Sequence, residues 1–376
     1  MPIFMDRHEV PGATAADVAV AHQKDLGVQS KYKARAMTYW FDEPRAVAFC
    51  LIEAPDEEAV RQMHNEAHGL VPNRIIRVHG ELVEAFLGRI GDPSTVPGAG
   101  DLGVPVFEES GFRTVLAVDH KDVAILAIRH GAAVAREVLR AHDAIISGAM
   151  QRHRCGGVTR TEDLYLVTFA SASNGVECAR QIQSQLNDRR VGDDGASASM
   201  APVGMALSAG EPVADQADLF GDSIRSAKRL CRLAQDNRIF IAPSVAEEYR
   251  KEKSLAPDCD ESMRCLDPAD GRFLNELMEV AEEHWNDGHF QVEDLARRVG
   301  KSKSQLNRKL TSLTGYSPKE LLRGFRLRKA CELLMARRGN VTEIAFEAGF
   351  SSAAYFSKSF QERFGLLPSV FLKANQ

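Results

Sequence analysis

Between residues 292 and 365 one local pattern occurs twice, and it restricts the fold of this chain more tightly than any other feature. In "VEDLARRVGKSKSQLNRKL" (292–310) a helical apolar period breaks at Gly300 and resumes. Leu306 and Leu310 take the inward side, and Ser304, Asn307, Arg308 and Lys309 the other. In "VTEIAFEAGFSSAAYFSKSFQERFG" (341–365) the same happens around Gly349-Phe350, with Tyr355 and Lys358 left outward. The uninterrupted helical stretch "SPKELLRGFRLRKACELLMA" (317–336) separates the two. One amphipathic helix pair is common in helical cores, but two pairs held apart by a rigid helix call for an all-α module with two helix-turn-helix units.

Charge sharpens this reading. The chain carries a net charge of -5, yet from Lys301 to Gln376 there are 14 Lys and Arg against 5 Asp and Glu. One basic module in an acidic chain suits a single domain that meets phosphates. The segment resembles the AraC/XylS family of transcription regulators: Ala345, Gly349, Phe350, Tyr355, Phe356, Phe360, Phe364, Gly365 and Pro368 fall where that family's signature expects them. The resemblance implies two recognition helices in successive major-groove segments of double-stranded promoter or operator DNA. It implies base-edge contacts from Ser304, Asn307 and Arg308 in the first unit and from Ala354, Tyr355 and Lys358 in the second. Arg308 suits a bidentate pair with guanine, whereas Ala354 offers only apolar contact to a thymine methyl. Lys301, Lys303, Arg323 and Arg326 are expected at phosphates, which position the protein without specifying sequence. RNA polymerase and a second copy of the chain are the expected protein partners.

At 376 residues the chain is too long for one ordinary core, so further domains must precede this module. "GDPSTVPGAGDLGVP" (91–105) and "KSLAPDCDESMRCLDPADG" (253–271) read as linkers, which divides the chain into 1–90, 111–250 and 272–376. "RRVGDDGASAS" (189–199) reads as a long flexible loop. No apolar run approaches the roughly 18 residues needed to cross a bilayer, and "MPIFMDRHEV" lacks a signal-peptide core. Seven cysteines without a CxxC pair fit free thiols in a reducing compartment, so a cytoplasmic protein is expected.

In the middle block, the strand "RTVLAVDH" (113–120), a long helix near 131–153, the strand "LYLVTF" (164–169), a helix at 173–186 and a strand at 201–208 give a βαββαβ-like order. With Asp119, Asp163, Gly210-Glu211-Pro212, Phe220-Gly221 and Arg229 this resembles the class III nucleotide cyclase homology domain. A cyclase needs two carboxylates to hold two cations on a triphosphate, and Asp119 and Asp163 fill those places. The rest departs from the family pattern. "HKDVAIL" replaces the phosphate-binding loop, the turn around the second aspartate reads Glu162-Asp163-Leu164, and Arg225 stands at the Asn position. A non-catalytic module for dimerisation or for a small-molecule or nucleotide effector is therefore expected, and an active adenylate or guanylate cyclase fused to a DNA-binding domain is the rival.

The first block reads strand (3–9), helix (15–26), hairpin across Asp42-Glu43-Pro44, helix (56–68) and strand (74–78), a ferredoxin-like sandwich. Its "FMD-x-H" start, "AFCLIEAP" strand and "H-x3-HG" helix end resemble a family of small nickel-binding ferredoxin-like proteins. His64 and His68 are spaced to share a helical face, as a chelating pair must. Asp6 and His8 share one face of the first strand, and Cys50 is expected on a neighbouring one; His22 is a weaker candidate. His8, Cys50, His64 and His68 together favour a transition metal such as nickel or zinc. The plainer alternative leaves His68 and Gly69 finishing a helix and Cys50 in the core. The expected architecture is thus multidomain: an α+β ferredoxin-like domain, an α+β cyclase-like domain, and an all-α domain with two helix-turn-helix units.

Overall fold

The computed structural model describes residues 1–93, 106–107, 109–161, 163–192, 202–214, 218–235 and 237–374; residues 94–105 of the first expected linker, Glu162, and residues 193–199 of the expected flexible loop lie outside them. The first domain runs β1 (Ile3–Glu9), α1 (Ala15–Val28), β2 (Arg35–Asp42), β3 (Val47–Glu53), α2 (Glu57–Ala67), β4 (Arg74–Val78) and α3 (Gly80–Leu87). Its strands pair antiparallel in the order β2-β3-β1-β4, the ferredoxin-like arrangement. Helices α1 and α2 cover one face of this sheet around Phe4, Tyr39, Phe41, Ile52, Val60 and Met63. The other face is buried too. Met5, Trp40, Phe49 and Leu51 pack on Val83 and Phe86 of α3 and on Val213 and Phe220 of the next domain. Burial on both faces explains why β3 reads as an unbroken apolar run instead of alternating.

The middle domain runs β5 (Arg113–His120), α4 (Val123–His130), α5 (Ala132–Arg152), β6 (Gly157–Arg160), β7 (Leu164–Phe169), α6 (Ala172–Gly192), β8 (Val203–Gly210), α7 (Gly221–Leu233), β9 (Ile239–Ile241), α8 (Pro243–Lys253) and β10 (Met263–Cys265). The sheet order is β10-β9-β8-β5-β7-β6. Strands β8-β5-β7-β6 repeat the antiparallel order of the first domain, and β9 and β10 extend it in parallel. Three departures from the sequence reading concern this domain. The four-residue β6 was not foreseen, since "GVTR" is too short to show a period. "HKDVAIL" contributes the first half of a short helix, α4, ahead of the long one. The segment 253–271 is built into the fold and is not a free linker: β10 forms the sheet edge within it, and Cys259 is disulfide-bonded to Cys265. Cys50, Cys155, Cys178, Cys231 and Cys331 are free thiols, so the all-thiol reading is corrected at one pair.

The last domain comprises α9 (Pro268–His284), α10 (Val292–Arg298), α11 (Lys303–Thr314), α12 (Pro318–Met335), α13 (Val341–Glu347), α14 (Ala353–Phe364) and α15 (Pro368–Ala374). Local chemistry sets the helix boundaries. Ser302, Ser317 and Asn340 build reciprocal caps with Gln305, Glu320 and Glu343, and Ser352 caps α14. Gly349 turns with φ +79°, and a Cβ there would collide with the Trp285 carbonyl, so no other residue fits between α13 and α14 without displacing α9. A continuous core joins this domain to the middle one: α7 packs between the sheet residues Val115, Ala117 and Ala206 and the α9 residues Leu274, Leu277 and Met278, which reach Leu306 and Leu310 of α11.

Candidate metal centre and nucleic-acid interface

The register of β1 on β3 sets Asp6 opposite Cys50. Strand period places Asp6 and His8 on the face covered by α1 and α2. Helix α2 starts at the Asp56 cap and brings His64, fully buried, over that face. His64 Nε2 lies 2.8 Å from Asp6 Oδ2, and its Nδ1 lies 3.0 Å from Asp25 Oδ1 of α1 and 3.1 Å from His68 Nε2. His68 Nε2 is 3.3 Å from Asp25 Oδ1. His8 Nε2 is 3.2 Å from Asp6 Oδ1 but has no hydrogen-bond partner, a buried polar atom left unsatisfied. The backbone N–H of Cys50 donates to Asp6 Oδ1 at 3.1 Å.

Two overlapping donor sets result: Asp6, His8, Cys50 and His64, and Asp25, His64 and His68, in each of which one donor atom per residue lies within 4.8 Å of the others. A cavity of about 60 Å³ adjoins them, lined by His8, His22, Asp25, Cys50 and His68 among others. The electrostatics are those of a cluster built around positive charge. Burial disfavours ionised Asp6, yet His8 and His64 hold its carboxyl well below the usual range. Burial disfavours protonated His64, yet Asp6 and Asp25 push it up to about 10. Burial, with Asp6 and Asp25 nearby, pushes the Cys50 thiol upward, so a thiolate there needs a cation beside it. The donor chemistry fits a divalent transition metal: imidazoles and a thiol that favour nickel, zinc or copper, carboxylates that neutralise it, and one imidazole nitrogen with nothing else to bind. His22 stands aside, 3.1 Å from Asp92 and packed on Tyr39. Asp25 is a member that the sequence reading did not name, its approach depending on α1 crossing α2, while Asp6 stands on the strand face expected for it. His68 lies within both of the arrangements that the sequence left open. It joins the cluster, and with Gly69 (φ +77°) it ends α2, both amides donating to the His64 carbonyl at 3.0 Å.

On the C-terminal domain Ser304, Asn307 and Arg308 of α11 and Ala354, Tyr355 and Lys358 of α14 are exposed, while Leu306, Leu310, Phe356 and Phe360 hold the helices to their cores. Lys303 pairs with Glu293 at 2.5 Å and Lys301 lies over the Phe273 ring. Arg323 is 3.5 Å from Glu362. Arg326 differs from the expectation of a phosphate contact: its guanidinium donates to the carbonyls of Trp285, Asp287 and Phe290 at 2.8 to 3.0 Å, bracing α12 against the α9–α10 turn.

Of the three cyclase-like positions, Asp119 and Asp163 are neighbours, whereas Arg229 is paired elsewhere. Asp119 is nearly buried at the end of β5 and faces Arg328 of α12 at 3.6 Å. Asp163 is exposed beside it, its backbone carbonyl accepting from His120 N. Arg229 of α7 is committed to Glu282 of α9 at 2.9 Å and lies 3.6 Å from Glu279. Arg225, at the Asn position, pairs with Asp222 and Asp218. Helix α4 buries Ile125 among Leu327 and Ala330 of α12 and Phe360 and Phe364 of α14, and Arg363 pairs with Asp122 at 2.9 Å.

Comparison with known proteins follows this division. A helix-turn-helix domain family matches residues 295–374, and the family of the nickel-responsive protein SCO4226 matches residues 4–78. The HTH-type transcriptional regulator ExsA of Pseudomonas aeruginosa is 27% identical over 151 residues, covering 40% of this chain and 53% of ExsA. The HTH-type transcriptional activator RhaS of Escherichia fergusonii is 37% identical over 147 residues, covering 39% of this chain and 49% of RhaS. The chain thus spans about half the length of these two relatives. The crystal structure of SCO4226 from Streptomyces coelicolor is 34% identical, covering 20% of this chain and 94% of that one, with a TM-score of 0.20. Among the described residues no helix is long and apolar enough to cross a membrane. The chain therefore joins a domain of the nickel-responsive SCO4226-like family at its N-terminal end to an AraC-type helix-turn-helix domain at its C-terminal end.

Proposed function

We propose that this chain is a sequence-specific DNA-binding transcription regulator whose N-terminal domain binds a transition metal. The observation that carries the reading is the pair of exposed recognition helices, α11 and α14, each capped, each anchored by buried leucine or phenylalanine, and linked by the single helix α12. Such a pair reads two successive major-groove segments, with Ser304, Asn307, Arg308, Tyr355 and Lys358 toward base edges and Lys301, Lys303 and Arg323 toward phosphates. Ala354 supplies apolar contact only. Cytoplasmic action as a homodimer with RNA polymerase is the arrangement this reading favours.

In the N-terminal domain Asp6, His8, Cys50 and His64, with Asp25 and His68 behind, would hold nickel or zinc. A bound ion supplies a divalent charge where His64 otherwise shares its protons with two carboxylates. His8 would then gain a partner, and Cys50 would ligate as a thiolate with its proton released to solvent. Asp25 keeps His68 and His64 oriented. Since Arg7 of the same strand bonds Glu211 of the middle domain at 2.9 Å, the metal state bears on how that domain is held.

The cyclase alternative is disfavoured by Arg229 being paired to Glu282 and by α4 standing in place of a phosphate loop. The test takes the full chain. DNA fragments selected from a random library by the wild-type protein should bind Arg308→Ala about tenfold or more weakly, in keeping with roughly 1–3 kcal/mol for a bidentate base contact, with preference relaxed at one position. Equal affinity and unchanged preference would defeat the base-reading role. Incubation with ATP or GTP and manganese should give no cyclic product; turnover lost in Asp119→Ala would restore the enzyme reading.

A further inference from the structure

Where the end of the middle sheet meets α12 and α14, a cavity of about 370 Å³ opens. Its charged walls come from both domains: Lys121 and Arg232 from the middle one, Arg323 and Arg328 from α12, and Arg363 from α14, against the carboxylates of Asp122, Glu320 and Glu362. Among the lining residues cations outnumber carboxylates, although Arg363 is paired with Asp122 at 2.9 Å and Arg232 with Glu282 at 2.7 Å, and Phe325, Leu327 and Phe364 partly shield the site from water. The pairings are incomplete. Arg323 stands 3.5 Å from Glu362 and Arg328 3.6 Å from Asp119, too long for strong charge-assisted bonds.

Lys121 is the most buried of these cations. It is 6% exposed, and its ammonium, which has three protons to donate, meets one carbonyl, that of Ala234. Burial and the repulsion of Arg328 push it down to about 8. Two cations are thus held near one another in a poorly hydrated place, offset only in part by Asp119 and Asp122, and an anion between them would relieve what remains.

We propose that this cavity binds a small phosphorylated anion, gripped by Lys121, Arg328 and Arg363 and covered on its organic side by Phe325 and Phe364. The planar fork of arginine matches phosphate oxygens in pairs, and lysine adds a point charge. The volume lies in the range of small-molecule sites and exceeds the need of inorganic phosphate alone, so a phosphate ester or polyphosphate fits better. Because its cations belong to both the middle sheet and the helices α12 and α14, the occupant ties the two domains together. The site is independent of whether the C-terminal domain binds DNA, since it is read on the free protein.

The experiment is titration calorimetry on the full chain at constant ionic strength with pyrophosphate, ADP and citrate. Saturable binding of one pyrophosphate or ADP per chain, with citrate at least tenfold weaker, is expected; pyrophosphate alone marks a polyphosphate ligand, and ADP the tighter of the two marks a phosphate ester. Arg328→Gln and Arg363→Gln should each weaken it about tenfold, while Arg298→Gln, on α10 and away from the cavity, should not. Variants are compared only where the anion-free melting curve shows them folded, and Lys121→Met serves as the third if one of the two is not. Absence of saturable binding, equal binding of citrate, or affinity unchanged in the folded Arg328 and Arg363 variants overturns the proposal.

Discussion

The first and middle domains share one strand order and use it in opposite ways. In the first, polar chemistry is folded inward: Asp6, His8 and His64 are almost wholly removed from solvent between the sheet and α2. In the middle domain the corresponding sheet face is mostly apolar core, with His120 and His142 buried together at one end of it, and the charged groups at its edge and on α7 are turned outward to the helices that follow, Asp119 to Arg328 and Arg229 to Glu282. One four-stranded framework can therefore hold a ligand or hold a neighbour, and the choice depends on whether ionisable residues sit in the middle of a strand or at its end.

The largest effect that sharpens this contrast is in the first domain. His64→Ala/His68→Ala should reduce bound nickel or zinc from a full equivalent to background by elemental analysis, because both donor sets lose a shared member. Metal retained at the wild-type level would remove the distinction between the domains. Next comes the seam of the middle domain. Ile125→Ala, which empties a site inside the second helix-turn-helix core, should cost roughly 2–5 kcal/mol in denaturant unfolding, although the residue belongs to the sheet domain. A cost below about 0.5 kcal/mol, the size of an ordinary surface change, would mean that α4 does not hold the C-terminal domain.

A smaller effect attaches to Arg229→Gln. Its pairs with Glu282 and Glu279 are partly screened, and a loss of about 1 kcal/mol is expected, with metal content unchanged. The smallest concerns Glu252, an exposed carboxylate that accepts from the amides of Ala172 and Ser173 and from Ser171 at the start of α6. Burial opposes its ionisation, but the hydrogen bonds from Ser173, Ser171 and Ala172 hold it below the usual range. A lowered folded value contributes stability above the ordinary glutamate range and loses it as pH falls through the folded value. Glu252→Gln should therefore lower Tm slightly at pH 7, and the difference from wild type should vanish in acid. A difference independent of pH would point to packing instead.

Much of this was legible in the sequence where the signal is local. The glycine turns and the leucine and phenylalanine spacing of the last domain are short-range patterns, and the structure has them in place. The likeness of β1 to a strand followed from alternation, and Cys50 on a neighbouring strand from the βαββαβ order. Partners that are backbone atoms were not legible: nothing in "LLRGFRLRK" tells that Arg326 meets three carbonyls from α9 and the turn after it. Asp25 was missed because a single acid near the end of an amphipathic helix looks like a solvated residue until α2 is laid across it. Helix α4 was missed for a similar reason, since eight residues carry little period of their own and its apolar side is explained only by Phe360 and Phe364, more than two hundred residues on. The strand β10, three residues long, is defined by what it pairs with.

Strand β1 carries one more consequence. Phe4, Asp6 and His8 belong to the side covered by α1 and α2, whereas Met5 and Arg7 belong to the side facing the middle domain, with Arg7 on Glu211. The two sets are interleaved with a spacing of one residue. Inserting or deleting a single amino acid within Phe4–His8 would thus swap the two messages this strand carries, putting a guanidinium among the histidines and an imidazole at the domain seam. Seven residues hold both, so the strand can be edited by substitution but not by length, and its reading frame in space is as strict as that of its codons.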